Sequence, residues 1–291
     1  MRTARLLSAA AIAVALLATT ATAAGAKVTF RSYVALGDSY TSGPFIPVLS
    51  LDPLGCGRSN ANYPSQLAAA LRIGSFTDAS CAGADTSNMT QSQNVPFSGV
   101  NRPQFSALRV DTALVTVGIG GNDFGVFGGL IGTCPGLREG DPTGNPCERH
   151  FTTNGVDTVQ AAIANITPRV TAVLDGIHQR SPGAAVYLVG YPRIAPETGY
   201  CPNALPFADG DYAWLNTVEE ALNAALADAV AEDGSASFVD TFGPSLGHDA
   251  CARGGSAWIN GKDDKLFAAA AYHPFKAGMT GIAQVVLKQL H

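Results

Sequence analysis

Charged residues are scarce in this sequence, at 14% of its 291 residues, and nowhere do Lys and Arg cluster. A formal net charge of −5 without a basic stripe argues against nucleic acid as a partner. Nothing in the charge balance suggests a phosphate cradle. Tryptophan is limited to Trp214 and Trp258, too few to line a sugar-binding groove. Beyond the N-terminal stretch no apolar run is long enough to span a bilayer. None of the six cysteines forms a C-x-x-C pair, which argues against a zinc knuckle, and no other metal or cofactor pattern stands out. Internal repeats and low-complexity linkers are also missing.

The start of the chain has the composition of an export signal. Arg2 and Arg5 give it positive charge, Leu6 to Ala18 is apolar, and Ala24-Gly25-Ala26 fits the small-residue cleavage pattern. Residues 1–26 are therefore expected to be a signal peptide and 27–291 a single domain, secreted and extracellular. An uncleaved membrane anchor is the alternative. An even cysteine count in an exported chain points to disulfides. Six cysteines allow fifteen pairings. Cys56–Cys81, Cys134–Cys147 and Cys201–Cys251 close the shortest loops and are expected.

Short apolar runs alternate with amphipathic segments. Strands are predicted at 33–36, 76–81, 113–117, 185–189 and 237–239. Helices are predicted at 64–72, 156–178, 211–233 and 274–290, the second kinked or divided by Pro168 and the last opening on Pro274. Continuous rather than alternating apolar strands imply a parallel sheet covered on both faces. The Gly- and Pro-rich stretches 41–62, 86–106, 120–155 and 191–210 are predicted as long loops. Most follow the carboxyl end of a strand, where open α/β sheets bind ligands.

Several chemistry-bearing residues fall at those strand ends. Ser39 follows the first strand in Gly37-Asp38-Ser39-Tyr40. A serine hydroxyl needs a base within hydrogen-bond reach and donors for the oxyanion that forms. Gly83 follows the second strand, in Ser80-Cys81-Ala82-Gly83-Ala84. Asn122 follows the third, in Gly120-Gly121-Asn122-Asp123. His273 precedes Pro274 before the last helix. Taken singly, each is also plain turn or capping chemistry. Gly243-Pro244-Ser245-Leu246-Gly247 matches G-x-S-x-G, but no helical run follows it, so the nucleophile-elbow context fails and Ser245 reads as a loop serine. His150, His178 and His291 lack a catalytic setting, and His248 sits in a Cys-tethered loop and reads as structural.

Together these blocks resemble the SGNH (GDSL) hydrolase family, and within it the secreted actinobacterial lipases, esterases and phospholipases A1. The resemblance covers nearly all of 33–280. It implies an α/β fold, a three-layer α/β/α sandwich around a flavodoxin-like, five-stranded parallel sheet, and three sequential disulfides. It implies ester hydrolysis with Ser39 as nucleophile and His273 as base. The oxyanion would be held by Ser39 N–H, Gly83 N–H and the Asn122 amide, with no metal or cofactor. Many members carry an Asp three residues before the histidine. That position is Ala270 here. A backbone carbonyl, of Ala270 or else Ala271, is expected to orient His273 instead, with Asp263 or Asp264 looping back as the alternative.

The substrate is expected to be a lipid or other small ester, met by a monomer in transient contact with a lipid interface. Phe124 to Ile131, apolar and Gly-rich, reads as a wall for an acyl chain or as a buried loop. Two other readings stand beside this one: a carbohydrate deacetylase on the same scaffold, and a secreted binding module with a vestigial Ser39.

Overall fold

The computed structural model describes residues 29–290; the leader read at 1–26 lies outside them. Among the described residues, nine strands occur in chain order: β1 (Ser32–Gly37), β2 (Ser75–Asp78), β3 (Gln93–Val95), β4 (Gly99–Asn101), β5 (Leu114–Gly118), β6 (Thr152–Thr153), β7 (Val156–Asp157), β8 (Ala185–Val189) and β9 (Ser237–Val239). The α-helices are α1 (Ser39–Ser42), α2 (Tyr63–Ala70), α3 (Val126–Arg138), α4 (Pro146–Phe151), α5 (Thr158–Ile163), α6 (Ile166–Arg180), α7 (Asp211–Asp233) and α8 (Lys276–Gln289). The central sheet has the order β2-β1-β5-β8-β9 and is parallel throughout. The hairpins β3–β4 and β6–β7 stand outside it.

Successive strand residues face opposite sides of a sheet, and both sides are buried here. Val34, Leu36, Val115 and Val117 pack with α6 and α7 through Val170, Leu174, Leu222 and Leu226. Tyr33, Ala35 and Leu114 pack with α2 and α8 through Leu67, Met279, Ile282 and Val286. The result is a three-layer α/β/α sandwich. Chain order reverses direction between β1 and β5, and the crevice at such a switch point is where doubly wound sheets place ligands. Ser39 follows β1 and Asn122 follows β5.

Three expectations are corrected. The stretch 120–155 is not one long loop: it holds α3 and α4. Gly128, Gly129, Gly132, Gly136 and Pro135 all oppose helix formation by propensity. Burial of Val126, Leu130 and Cys134 outweighs them. The predicted helix 156–178 begins as strand β7 and then splits into α5 and α6, so Pro168 sits in the first turn of α6, where a proline is tolerated. Finally, α8 opens at Lys276 rather than Pro274. Pro274 instead bridges to Ile259, because Asn260 N–H donates to the His273 carbonyl and Phe275 N–H to the Trp258 carbonyl.

The cysteines pair as Cys56–Cys81, Cys134–Cys147 and Cys201–Cys251. The first ties the loop after Ser39 to the turn that carries Gly83. The other two tie α3 to α4 and the 191–210 loop to the segment leading toward His273.

Candidate active site

The turn at the end of β1 is built around Gly37. Its φ is 147°, and a Cβ there would lie 2.5 Å from the Gly118 carbonyl oxygen, so no other residue fits without a shift. Buried Gln104 brackets the same residue. Its Oε1 accepts from Gly37 N–H at 2.7 Å and its Nε2 donates to the Gly37 carbonyl at 2.8 Å. Asp38 caps α1, its Oδ1 accepting from Tyr40 N–H at 2.8 Å. Ser39 is thereby the first residue of α1. Its N–H points away from the helix with no intramolecular acceptor among the described residues.

Two neighbouring turns close on this one. Cys81 N–H donates to the Gly37 carbonyl at 2.9 Å, which sets the Gly83 turn beside β1. Gly83 has φ 77°, a conformation that excludes most side chains. Asn122 Nδ2 donates to the Ala84 carbonyl at 2.9 Å, so the Asn122 turn is fastened to the Gly83 turn. Asp123 reinforces the junction from beneath. Fully buried, it accepts from Thr86 N–H at 3.1 Å and from Arg169 at 2.9 Å.

His273 arrives from the opposite side. Its Nδ1 lies 2.6 Å from the Ala271 carbonyl oxygen. A carbonyl can only accept, so Nδ1 carries the hydrogen and Nε2 keeps its lone pair. The expected partner Ala270 is thus corrected to Ala271. The Ala270 carbonyl is already engaged by Asn260 Nδ2 at 3.0 Å and by His273 N–H at 3.2 Å. Asp264 does not reach the ring: it accepts from Ala271 N–H at 2.8 Å. The Asp263 carbonyl accepts from Asn260. Burial holds the His273 pKa below its usual 6.5, against the pull of the Ala271 carbonyl and the Asp264 charge. The ring is therefore neutral near pH 7.

An aromatic cluster joins the two halves. The Tyr40 ring lies 5.3 Å from the His273 ring, and its hydroxyl donates to the Tyr272 carbonyl at 2.6 Å. Tyr191 packs edge-on against Tyr40 and Phe127, each at 5.3 Å. Its buried hydroxyl accepts from Gly121 N–H at 2.8 Å and donates to Asp38 Oδ2 at 2.5 Å. One phenol thus links the Ser39 turn to the Asn122 turn. Burial pushes the Asp38 carboxyl up to about 7, although the Tyr191 and Tyr40 bonds oppose the shift. No hydrogen bond joins Ser39 Oγ to His273 Nε2 in this structure.

The other sequence candidates lie elsewhere. Ser245 is fully buried, and its hydroxyl bridges Arg193 N–H and the Phe242 carbonyl. His248 stacks on Trp258 and bonds the Ser256 carbonyl, while His178 pairs with Asp233. His150 packs edge-on against Phe151, and His291 lies outside the described residues. Among the described residues no three His, Cys, Asp or Glu side chains gather as metal ligands. Gln104, Tyr191 and the clamping role of Asp123 were missed in the sequence. Tyr191 follows Gly190 at the end of β8, so the strand-end rule could have flagged it; nothing local marks Gln104.

Sheet order, switch-point crevice and the serine, glycine, asparagine and histidine turns together are those of an SGNH-type hydrolase with a three-layer α/β/α fold. The chain belongs to the GDSL-like Lipase/Acylhydrolase family, whose model matches residues 35–280, and it is a carboxylic-ester hydrolase. It is 40% identical over 255 residues to Lipase 2 of Streptomyces coelicolor, covering 85% of this chain and 82% of that one. It is similar in structure to phospholipase A1 from Streptomyces albidoflavus NA297, with TM-score 0.73 and 28% identity over 90% of this chain and 100% of the other. An extracellular lipase of Streptomyces rimosus gives TM-score 0.67 and 27% identity over 90% and 99%.

Proposed function

We propose that this is an exported esterase that cleaves lipid esters through an acyl-Ser39 intermediate. One observation carries the catalytic reading. His273 offers a neutral Nε2, with its other nitrogen tied to the Ala271 carbonyl at 2.6 Å, and its ring packs on the residue that follows Ser39. The reaction requires Ser39 Oγ within hydrogen-bond reach of Nε2. Ser39 Oγ then attacks the carbonyl carbon while Nε2 takes its proton. The oxyanion is met by Ser39 N–H, Gly83 N–H and the second amide hydrogen of Asn122. His273 protonates the departing alcohol, and water releases the acid by the same steps reversed. The Ala271 carbonyl fixes the tautomer, the task that Asp performs in a triad, and stabilises the imidazolium less.

Support for a lipid ester comes from the names of the relatives and from the apolar surface beside the site. Phe127 stacks on Tyr40 at 5.9 Å, and Phe124 and Ile131 are partly exposed on the same segment. The leader-like residues 1–26 and the three disulfides support export. The test is a fluorophosphonate probe followed by peptide mapping, with a chain-length series of p-nitrophenyl esters beside a phospholipid. Label on Ser39, lost in Ser39→Ala and suppressed in His273→Ala, is the expected result. An unlabelled Ser39 in active enzyme would refute the mechanism, and activity confined to acetyl esters would refute the lipid substrate.

A further inference from the structure

Two hairpins beside the site expose phenylalanines at their tips. Phe97 lies between β3 and β4 with φ 62°, and its side chain is 80% exposed. Lys265 and Ala269 pair across a second, tight hairpin just before His273. Phe267 stands at its tip with φ 67° and is 81% exposed. Turns at positive φ select Gly, Asn or Asp. A phenylalanine there is conformationally costly, and in neither hairpin does the ring gain burial in return. Leu51, also 81% exposed, lies on the loop between them.

The three loops form one rim on the side of the sheet where Ser39 lies. Ala270 N–H donates to the Pro44 carbonyl at 3.2 Å. A Cβ on Gly57 would lie 2.9 Å from Pro44 Cβ, and one on Gly55 would lie 2.5 Å from the Pro96 carbonyl oxygen. Gln93 of β3 donates to the Ala82 carbonyl, next to Gly83, at 2.8 Å. The rim is electrically neutral on a chain of net charge −5. Residues 39–51 and 86–101 contain no Asp, Glu, Lys or Arg, Asp52 is offset by Arg58 in the same loop, and Lys262, Asp263, Asp264 and Lys265 cancel.

We infer that Phe97, Phe267 and Leu51 dock the enzyme on a zwitterionic phospholipid surface, with the Ser39 crevice facing the lipid. Apolar tips insert at the acyl boundary. A neutral rim neither needs anionic lipid nor is repelled by phosphocholine. The inference rests on the ester-hydrolase reading for its purpose, but docking itself does not require Ser39.

The experiment uses the full mature chain with Ser39→Ala and sedimentation with phosphatidylcholine vesicles. Phe97→Ser combined with Phe267→Ser should weaken partitioning at least about tenfold. In the Ser39 enzyme the same pair should lower vesicle hydrolysis by a similar factor and leave soluble p-nitrophenyl butyrate turnover within about twofold. Partitioning should not change with salt. The inference is overturned if Ser39→Ala does not sediment, if the pair binds as the parent does, if binding requires anionic lipid, or if soluble turnover falls in step with vesicle hydrolysis. Binding that behaves as expected in a chain whose Ser39 form hydrolyses no ester would sink the catalytic reading and leave the docking surface standing.

Discussion

The Tyr191 hydroxyl offers a sharp test of how the site is assembled. Tyr191→Phe keeps the ring against Tyr40 and Phe127 and removes two hydrogen bonds, from Gly121 N–H at 2.8 Å and to Asp38 at 2.5 Å. Each leaves a buried group unpaired. The loss at Gly121 is independent of pH. The loss at Asp38 is not, because its carboxyl titrates at about 7. A carboxyl raised in the fold holds a proton that the unfolded chain has already released. Its contribution to stability is full below the ordinary value of 3.8 and is lost as pH rises through about 7. Removing the Tyr191 bond, which favours the ionised form, pushes that titration higher still. The variant should therefore lose about 2 kcal/mol near pH 5 and about 3 kcal/mol near pH 8, where the parent's Asp38 is ionised. Urea unfolding at the two pH values reads the difference. With Gly121 released, the Asn122 turn loosens, and kcat on a soluble ester should fall about tenfold or more with KM nearly unchanged. Equal destabilisation at both pH values together with an unaltered kcat would refute the link.

Hydrolysis of a soluble ester should rise with pH as His273 deprotonates, with a midpoint below 6.5; a flat profile, or a midpoint well above that value, would remove His273 as base. Asp264→Asn keeps an acceptor for Ala271 N–H but removes the charge that raises the His273 pKa. The midpoint should shift down and kcat should change by less than about tenfold, whereas a loss of about a thousandfold would make Asp264 a true triad member. Breaking Cys56–Cys81 by a double Ser substitution should cost about 3 kcal/mol and lower activity by freeing the Gly83 turn. Unchanged melting and turnover would show that the bridge positions nothing.

Fold and site were unequally legible before the structure. The central strands β1, β5 and β8 were visible because they are largely buried and read as apolar runs, whereas the edge strands β2 and β9 are short and only half-buried. The glycine-rich α3 was not visible, since its stability comes from burying Val126, Leu130 and Cys134 rather than from its own residues. Ser39, Gly83, Asn122 and His273 stood out because each sits in a local turn at a strand or helix end, where spacing and composition carry the signal.

What the sequence by itself determined is therefore the five sheet strands, their parallel arrangement, the main covering helices and the residue types offered at one edge. Tertiary structure alone decided how those residues are held. Gln104 reaches Gly37 across 67 positions and Tyr191 reaches Asp38 across 153, distances over which no local pattern operates. His273 Nδ1 takes the Ala271 carbonyl, while the Ala270 carbonyl already accepts from Asn260 and from His273 N–H. Hydrogen-bond partners of this kind are competitive: which acceptor a donor takes depends on every other donor the fold brings to it.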